Sequence, residues 1–113
     1  EDEPTATTNA AQATRLYIPS IVMGELFFGA YASQRIKENI ARARNYSTHT
    51  EVLEVSSETA DHYGRIKAEL KRIGKPIPEN DIWIAAISLQ HNLTLVSRDK
   101  HFEQVADLSL EQW

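Results

Sequence analysis

The 113 residues carry 12 Lys and Arg against 16 Asp and Glu, a formal net charge of −4, with no Cys. That length suffices for one domain with its own core, and the missing thiols exclude disulfides and thiolate zinc sites. No run of about 18 apolar residues exists, which excludes a transmembrane helix, and no signal-peptide pattern opens the chain, so the expected location is the cytoplasm. The net charge hides an asymmetry: Glu1, Asp2 and Glu3 are acidic, whereas nine of the 12 Lys and Arg fall between Arg35 and Lys75.

Residues 1–15 are polar and rich in Thr and Ala, fitting a solvated helix or loop. Leu16-Tyr17-Ile18, stopped by Pro19, suits a buried strand, and Ser20 is placed to cap a helix running to about Ala32. That helix is apolar almost all round, and Glu25 is its only charge. Ser33 to Tyr46 has Ile36, Ile40 and Ala43 at helical spacing with Arg and Lys elsewhere, an amphipathic helix that forms a hairpin with its predecessor. Ser47-Thr48-His49-Thr50 suits a loop, and Val52–Val55 a strand. Ser56 should cap a helix to about Ile73, with Tyr63, Ile66, Leu70 and Ile73 on its buried stripe and Gly74 as its stop.

Pro76 to Asp81 opens the next helix, since Pro is tolerated in a first turn. Ile82-Trp83-Ile84-Ala85-Ala86-Ile87 is apolar on nearly every face, so this helix belongs in the core. Asn92 suits a left-handed cap, Thr94–Ser97 a strand, and Leu108–Leu110 a last strand. Strands alternating with helices imply an α/β domain with a parallel sheet, residues 1–113 forming one domain. Ligand sites in such sheets lie beyond the carboxyl ends of the strands, where Asp99 falls.

Asp81 and Asp99 each have an ordinary explanation, a helix-start acid and a turn former. Glu25 is harder to explain away, because its helix has no polar face to host it. Carboxylates fixed at the ends of buried elements are rarely left unpaired. Asp and Glu without His or Cys suit Mg²⁺ or Mn²⁺ rather than zinc, ions that assist phosphodiester hydrolysis. The histidines His49, His62, His91 and His101 are scattered and suit surface or boundary positions. Tyr17, Tyr31, Tyr46 and Tyr63 suit core or interface better than base stacking. The basic residues from Arg35 to Lys75 suit RNA phosphates or solvated helix faces equally.

Ile18-Pro19-Ser20 with Glu25-Leu26, then Pro78-Glu79-Asn80-Asp81-Ile82-Trp83-Ile84-Ala85-Ala86, then Leu95-Val96-Ser97-Arg98-Asp99-Lys100-His101-Phe102, together resemble PIN-domain proteins, in particular VapC toxins of bacterial toxin–antitoxin pairs. The resemblance spans about Leu16 to Trp113. It implies a three-layer α/β/α fold around a central parallel sheet, with Glu25, Asp81 and Asp99 as catalytic carboxylates holding Mg²⁺ or Mn²⁺ and Ser97 as a supporting hydroxyl. It further implies metal-dependent endonucleolytic cleavage of RNA, restrained by a cognate VapB-like antitoxin. Phe27, Phe28 and Tyr31, with the Ser33–Tyr46 helix, suit a homodimer or antitoxin interface. The family pattern begins with an apolar strand ending in an Asp-Thr-Asn-like motif. Thr7-Thr8-Asn9 lacks both the Asp and the strand, and Asp2 lies in a polar segment, so that strand and its acid are expected to be absent. The competing expectations are a non-catalytic fragment that keeps only the partner surface, and a DNA-directed nuclease of the same architecture.

Overall fold

The computed structural model describes residues 15–112. The expected polar start and Thr7-Thr8-Asn9 lie outside the described residues. The described chain divides into two compact units, residues 15–54 and residues 55–112. Each contains a helical hairpin and a parallel pair of strands.

In the first unit, strand β1 (Tyr17–Pro19) leads into helix α1 (Ser20–Tyr31), followed by α2 (Ile36–His49) and β2 (Glu51–Leu53). Pro19, rather than Ser20, stands at the N-cap of α1, with no side-chain cap bond, and Ser20 is the first helical residue. β1 and β2 pair in parallel with Tyr17 opposite Glu51 and Pro19 opposite Leu53; β1 lies one residue later than Leu16–Ile18, and β2 begins one residue before Val52 and ends two before Val55. Pro19 ends its strand, where a missing N–H costs least.

The turn between the helices is fixed by side chains. Ser33 Oγ donates to the Ala30 carbonyl at 2.7 Å and accepts from Asn39 Nδ2 at 2.9 Å. Met23 and Ala30 of α1 and Ile40 and Ala43 of α2 are buried. α2 runs through the stretch Ser47-Thr48-His49, which reads as a loop from its composition. The hydroxyls of Ser47, Thr48 and Thr50 each donate to a carbonyl of the preceding turn, at Arg44, Asn45 and Tyr46. These polar side chains thus bond to carbonyls of their own helix instead of leaving it for a loop, and one of the three, Thr50, reaches an end carbonyl, that of Tyr46.

In the second unit, α3 (Ser57–Arg72) packs on α4 (Glu79–Gln90), followed by β3 (Leu95–Val96), a 3₁₀ turn (Lys100–Gln104) and β4 (Leu110–Glu111). Ser56 caps α3 as its sequence implies: its Oγ accepts the Thr59 N–H, and Thr59 Oγ1 accepts the Ser56 N–H, a capping box with Thr in place of Glu. Thr59 is fully buried because its hydroxyl also donates to Gln90 Oε1, while Gln90 Nε2 donates to Ser56 Oγ at 3.2 Å. The start of α3 is therefore tied to the end of α4. On the buried stripe Ile66 and Leu70 are enclosed, whereas Ile73 is exposed, since the helix has turned away by its C-cap.

Both helices stop on left-handed residues. Gly74 has φ 71° and Asn92 φ 54°. In each case the next amide reaches back to close the helix, Lys75 N–H to Leu70 O and Leu93 N–H to Ser88 O, the geometry of a Schellman cap. α4 is the core helix: Ile82, Ile84, Ala85, Ala86, Ile87 and Ser88 are buried. Phe102 and Val105, around the 3₁₀ turn, join that core. β3 and β4 are parallel, Leu95 opposite Leu110 and Val96 opposite Glu111, so the last strand begins two residues later than Leu108 and ends one later than Leu110. Among the described residues no helix is long and apolar enough to cross a membrane.

Candidate metal centre

Asp81 lies in the first turn of α4, where the helix macrodipole favours an anion. Its neighbours Ile82 and Ile84 are buried, which fixes the turn that presents it, and its side chain is only 15 % exposed. Asp99 follows β3 and caps the 3₁₀ turn, its Oδ1 accepting the His101 N–H at 2.9 Å. Asp99 N–H in turn donates to Ser97 Oγ at 3.0 Å. Ser97 therefore holds the backbone that carries the carboxylate, rather than facing it.

The structure brings Asp81 and Asp99 together, and adds a third group. His101 Nδ1 lies 3.0 Å from Asp81 Oδ2 and 2.9 Å from Asp99 Oδ1. A lone pair aimed at two carboxylates would be repelled, so in this arrangement the proton is assigned to Nδ1, which donates to Asp81. One ligand atom from each of the three residues lies within 4.8 Å of the other two. Spacing alone does not set His101 apart from His49, His62 and His91. The usable clue is local: Asp99 as cap draws the amide two residues on toward it, and burial of the adjacent Phe102 turns His101 outward beside the acids.

Glu25 belongs to the other unit, on α1. It is exposed and lines a groove of about 260 Å³ between α1 and α2, together with Leu26, Gly29, Asn39, Arg42 and Tyr46. The apolar helix thus does have a face open to polar groups. The apolar residues Phe28 and Tyr31 of the same helix are 74 % and 59 % exposed, and Leu26 and Tyr46 are exposed as well.

Near the start of α4, Tyr63 stacks on Trp83 with ring centroids 4.0 Å apart. The Tyr63 hydroxyl donates to Glu79 Oε1 and accepts from Lys67 Nζ, which also pairs with Glu79 at 2.8 Å. The hydrogen bonds from Lys67 and then Tyr63 hold the Glu79 carboxyl below its ordinary value of 4.5, and the bonds to Glu79 and then Tyr63 raise Lys67. A depressed carboxylate contributes stability above its unfolded value that is lost as pH falls through its folded one. Lys67→Met is accordingly expected to lower thermal stability slightly at pH 7, the pair being exposed. The gap from the unaltered chain should close as Glu79 protonates below pH 4.5; melting curves across pH check this, and a gap constant down to low pH would refute it.

The PIN-domain family model matches residues 1–108, and the chain belongs to that family. It is 39 % identical over 102 residues to ribonuclease VapC2 of Haemophilus influenzae, covering 89 % of this chain and 77 % of that protein. It is 33 % identical over 100 residues to the tRNA(fMet)-specific endonuclease VapC of Shigella flexneri, covering 88 % and 76 %. Among solved structures, the DNA-bound VapBC of Salmonella typhimurium superposes with a TM-score of 0.90 at 30 % identity, covering 99 % of this chain and 86 % of that one. The α/β class and the PIN fold expected from the sequence are therefore those observed.

Proposed function

We propose that the chain is a divalent-metal-dependent endoribonuclease of the VapC type, the toxin of a toxin–antitoxin pair. The observation that carries this reading is the meeting of the Asp81 and Asp99 carboxylates, from separate elements, at one point. Two like charges held so close repel unless a cation is shared between them. Oxygen donors from carboxylates fit Mg²⁺ or Mn²⁺, and Asp81 and Asp99 are assigned as ligands. Glu25 is assigned as the third carboxylate on the family pattern, and Ser97 as the group that positions Asp99.

A divalent ion in such a site supplies charge stabilisation for the phosphate and activation of water. The protein's part is to fix the carboxylates in advance, Asp81 by a buried helix and Asp99 by the hydroxyl and amide bonds of its turn, so that little reorganisation is left for the reaction. The relatives' names support RNA as substrate, and the basic residues between Arg35 and Lys75 suit its phosphates. The VapBC neighbours support a VapB-like antitoxin and a homodimer as partners. Leu26, Phe28, Tyr31 and Tyr46, exposed in one unit, offer apolar surface for one of them.

The test is metal removal. With Mg²⁺ or Mn²⁺ the chain should cleave RNA internally, EDTA should abolish cleavage, and excess Mn²⁺ should restore it. Cleavage that survives exhaustive chelation would refute the metal assignment. Absence of RNA cleavage under every metal condition would favour the binding module, and preference for DNA the third reading.

A further inference from the structure

The geometry points to His101 as a direct, selectivity-setting ligand of the ion held by Asp81 and Asp99, through Nδ1. This inference rests on the metal reading above and adds to it a nitrogen donor that changes which ion the site prefers.

Three observations carry it. The Nδ1 atom, not merely the ring, lies 2.9 Å and 3.0 Å from one oxygen of each carboxylate. Donor atoms on adjacent vertices of an octahedral site with bonds near 2.1 Å are separated by about 3 Å. The spacing that reads as a hydrogen-bonded bridge in the absence of a cation is therefore also the spacing of neighbouring ligands around one.

The second observation is that the ring is held by its backbone. The His101 amide is bonded to Asp99 Oδ1, and Phe102, the next residue, is 4 % exposed in the core against α4. The imidazole does not reach the acids by a chance rotamer of a long side chain; its Cα is fixed beside one of them. Third, the ring is 49 % exposed, so Nε2 can keep the single proton of a neutral imidazole in contact with water while Nδ1 turns its lone pair to the ion.

The chemical consequence is selectivity. Carboxylates alone bind Mg²⁺ and Mn²⁺ through oxygen, whereas imidazole favours transition ions and adds little for Mg²⁺. An imidazole added to the carboxylates biases the set toward Mn²⁺. Without the ring the same acids lose that bias.

The experiment uses the full chain loaded with Mn²⁺ and followed by electron paramagnetic resonance, which reports free Mn²⁺ and, by electron spin-echo modulation, any directly bound ¹⁴N. The wild type should show imidazole nitrogen modulation that disappears in His101→Ala and in His101→Asn, the second of which retains an N–H for the carboxylates. Mn²⁺ affinity should fall about tenfold or more in both variants, while Mg²⁺ affinity, read by competition, should change less than about threefold. Wild-type Mn²⁺ bound without nitrogen modulation, yet released by Asp81→Asn, would overturn the role of His101 and leave the carboxylate site standing. Tighter Mn²⁺ binding in His101→Ala would overturn it too, showing the ring to compete with the ion. No Mn²⁺ binding by the wild type would overturn the metal reading itself and this inference with it.

Discussion

Asp99→Asn should lower RNA cleavage about a thousandfold while leaving the fold intact. Removing one preorganised charge from a phosphate-transfer site costs on this order. The structural cost is small because the Asn carbonyl can still accept the His101 amide that Asp99 Oδ1 now accepts, and the side chain is 44 % exposed. Without metal, the variant should melt within about 3 °C of the wild type, shifted upward if anything, since the repulsion between Asp99 and Asp81 is gone. Adding Mn²⁺ should raise the melting temperature of the wild type and not that of the variant, because an ion stabilises only a chain that binds it. Asp81→Asn should lose as much activity and, lying in the first turn of α4, up to about 1 kcal/mol of macrodipole stabilisation as well. A cleavage rate within tenfold of wild type in Asp99→Asn would remove the site assignment.

The largest expected effect on stability comes from Ile87→Ala. Ile87 is wholly buried in α4, flanked by Ala85 and Ala86, which are also wholly buried. Truncating an enclosed Ile removes its transfer free energy and leaves a cavity that rigid neighbours do not fill, about 3 kcal/mol together. For a chain of this size that is roughly a 10–15 °C fall in melting temperature. Val96→Ala, at an exposed strand position, is the matched control and should cost about 0.5 kcal/mol or less. Urea titration of both variants measures the difference, and equal losses would contradict the placement of α4 at the centre of its unit. Below its melting transition the Ile87→Ala chain should still bind Mn²⁺, which separates loss of packing from loss of ligands.

Much of this arrangement is legible in the chain because single residues carry strong local rules. Ser56 caps α3, Gly74 and Asn92 end two helices with positive φ, and the run Ile82–Ile87 has no polar face to expose. Asp81 and Asp99 stand out because acids beside such runs are anomalous. Other features depend on partners distant in sequence. The helical Ser47-Thr48-His49 stretch is stabilised by hydroxyl bonds to carbonyls that composition scores as loop formers. Phe28 and Tyr31 of α1 are exposed, as the crowding of aromatics on one short helix implies, whereas the groove beside Glu25 depends on α2 and is not legible from α1 alone. His101 escapes notice because its meaning comes from a turn at Asp99 and a helix twenty residues upstream. A histidine's role is set by its neighbours in space, and spacing arguments see only its neighbours in sequence.

Both strand pairs run parallel, Tyr17 to Glu51 and Leu95 to Leu110, and a parallel pair cannot be closed by a tight turn. Each must wait for the intervening chain to compact, because the entropy of bringing distant segments together is met before their hydrogen bonds form. The α1–α2 and α3–α4 hairpins are therefore expected to form early in the folding of this chain, and the strand ladders late. Asp99, lying between β3 and β4, should acquire its final position only in that late phase, so a partly refolded molecule is expected to be helical well before Asp81, Asp99 and His101 meet.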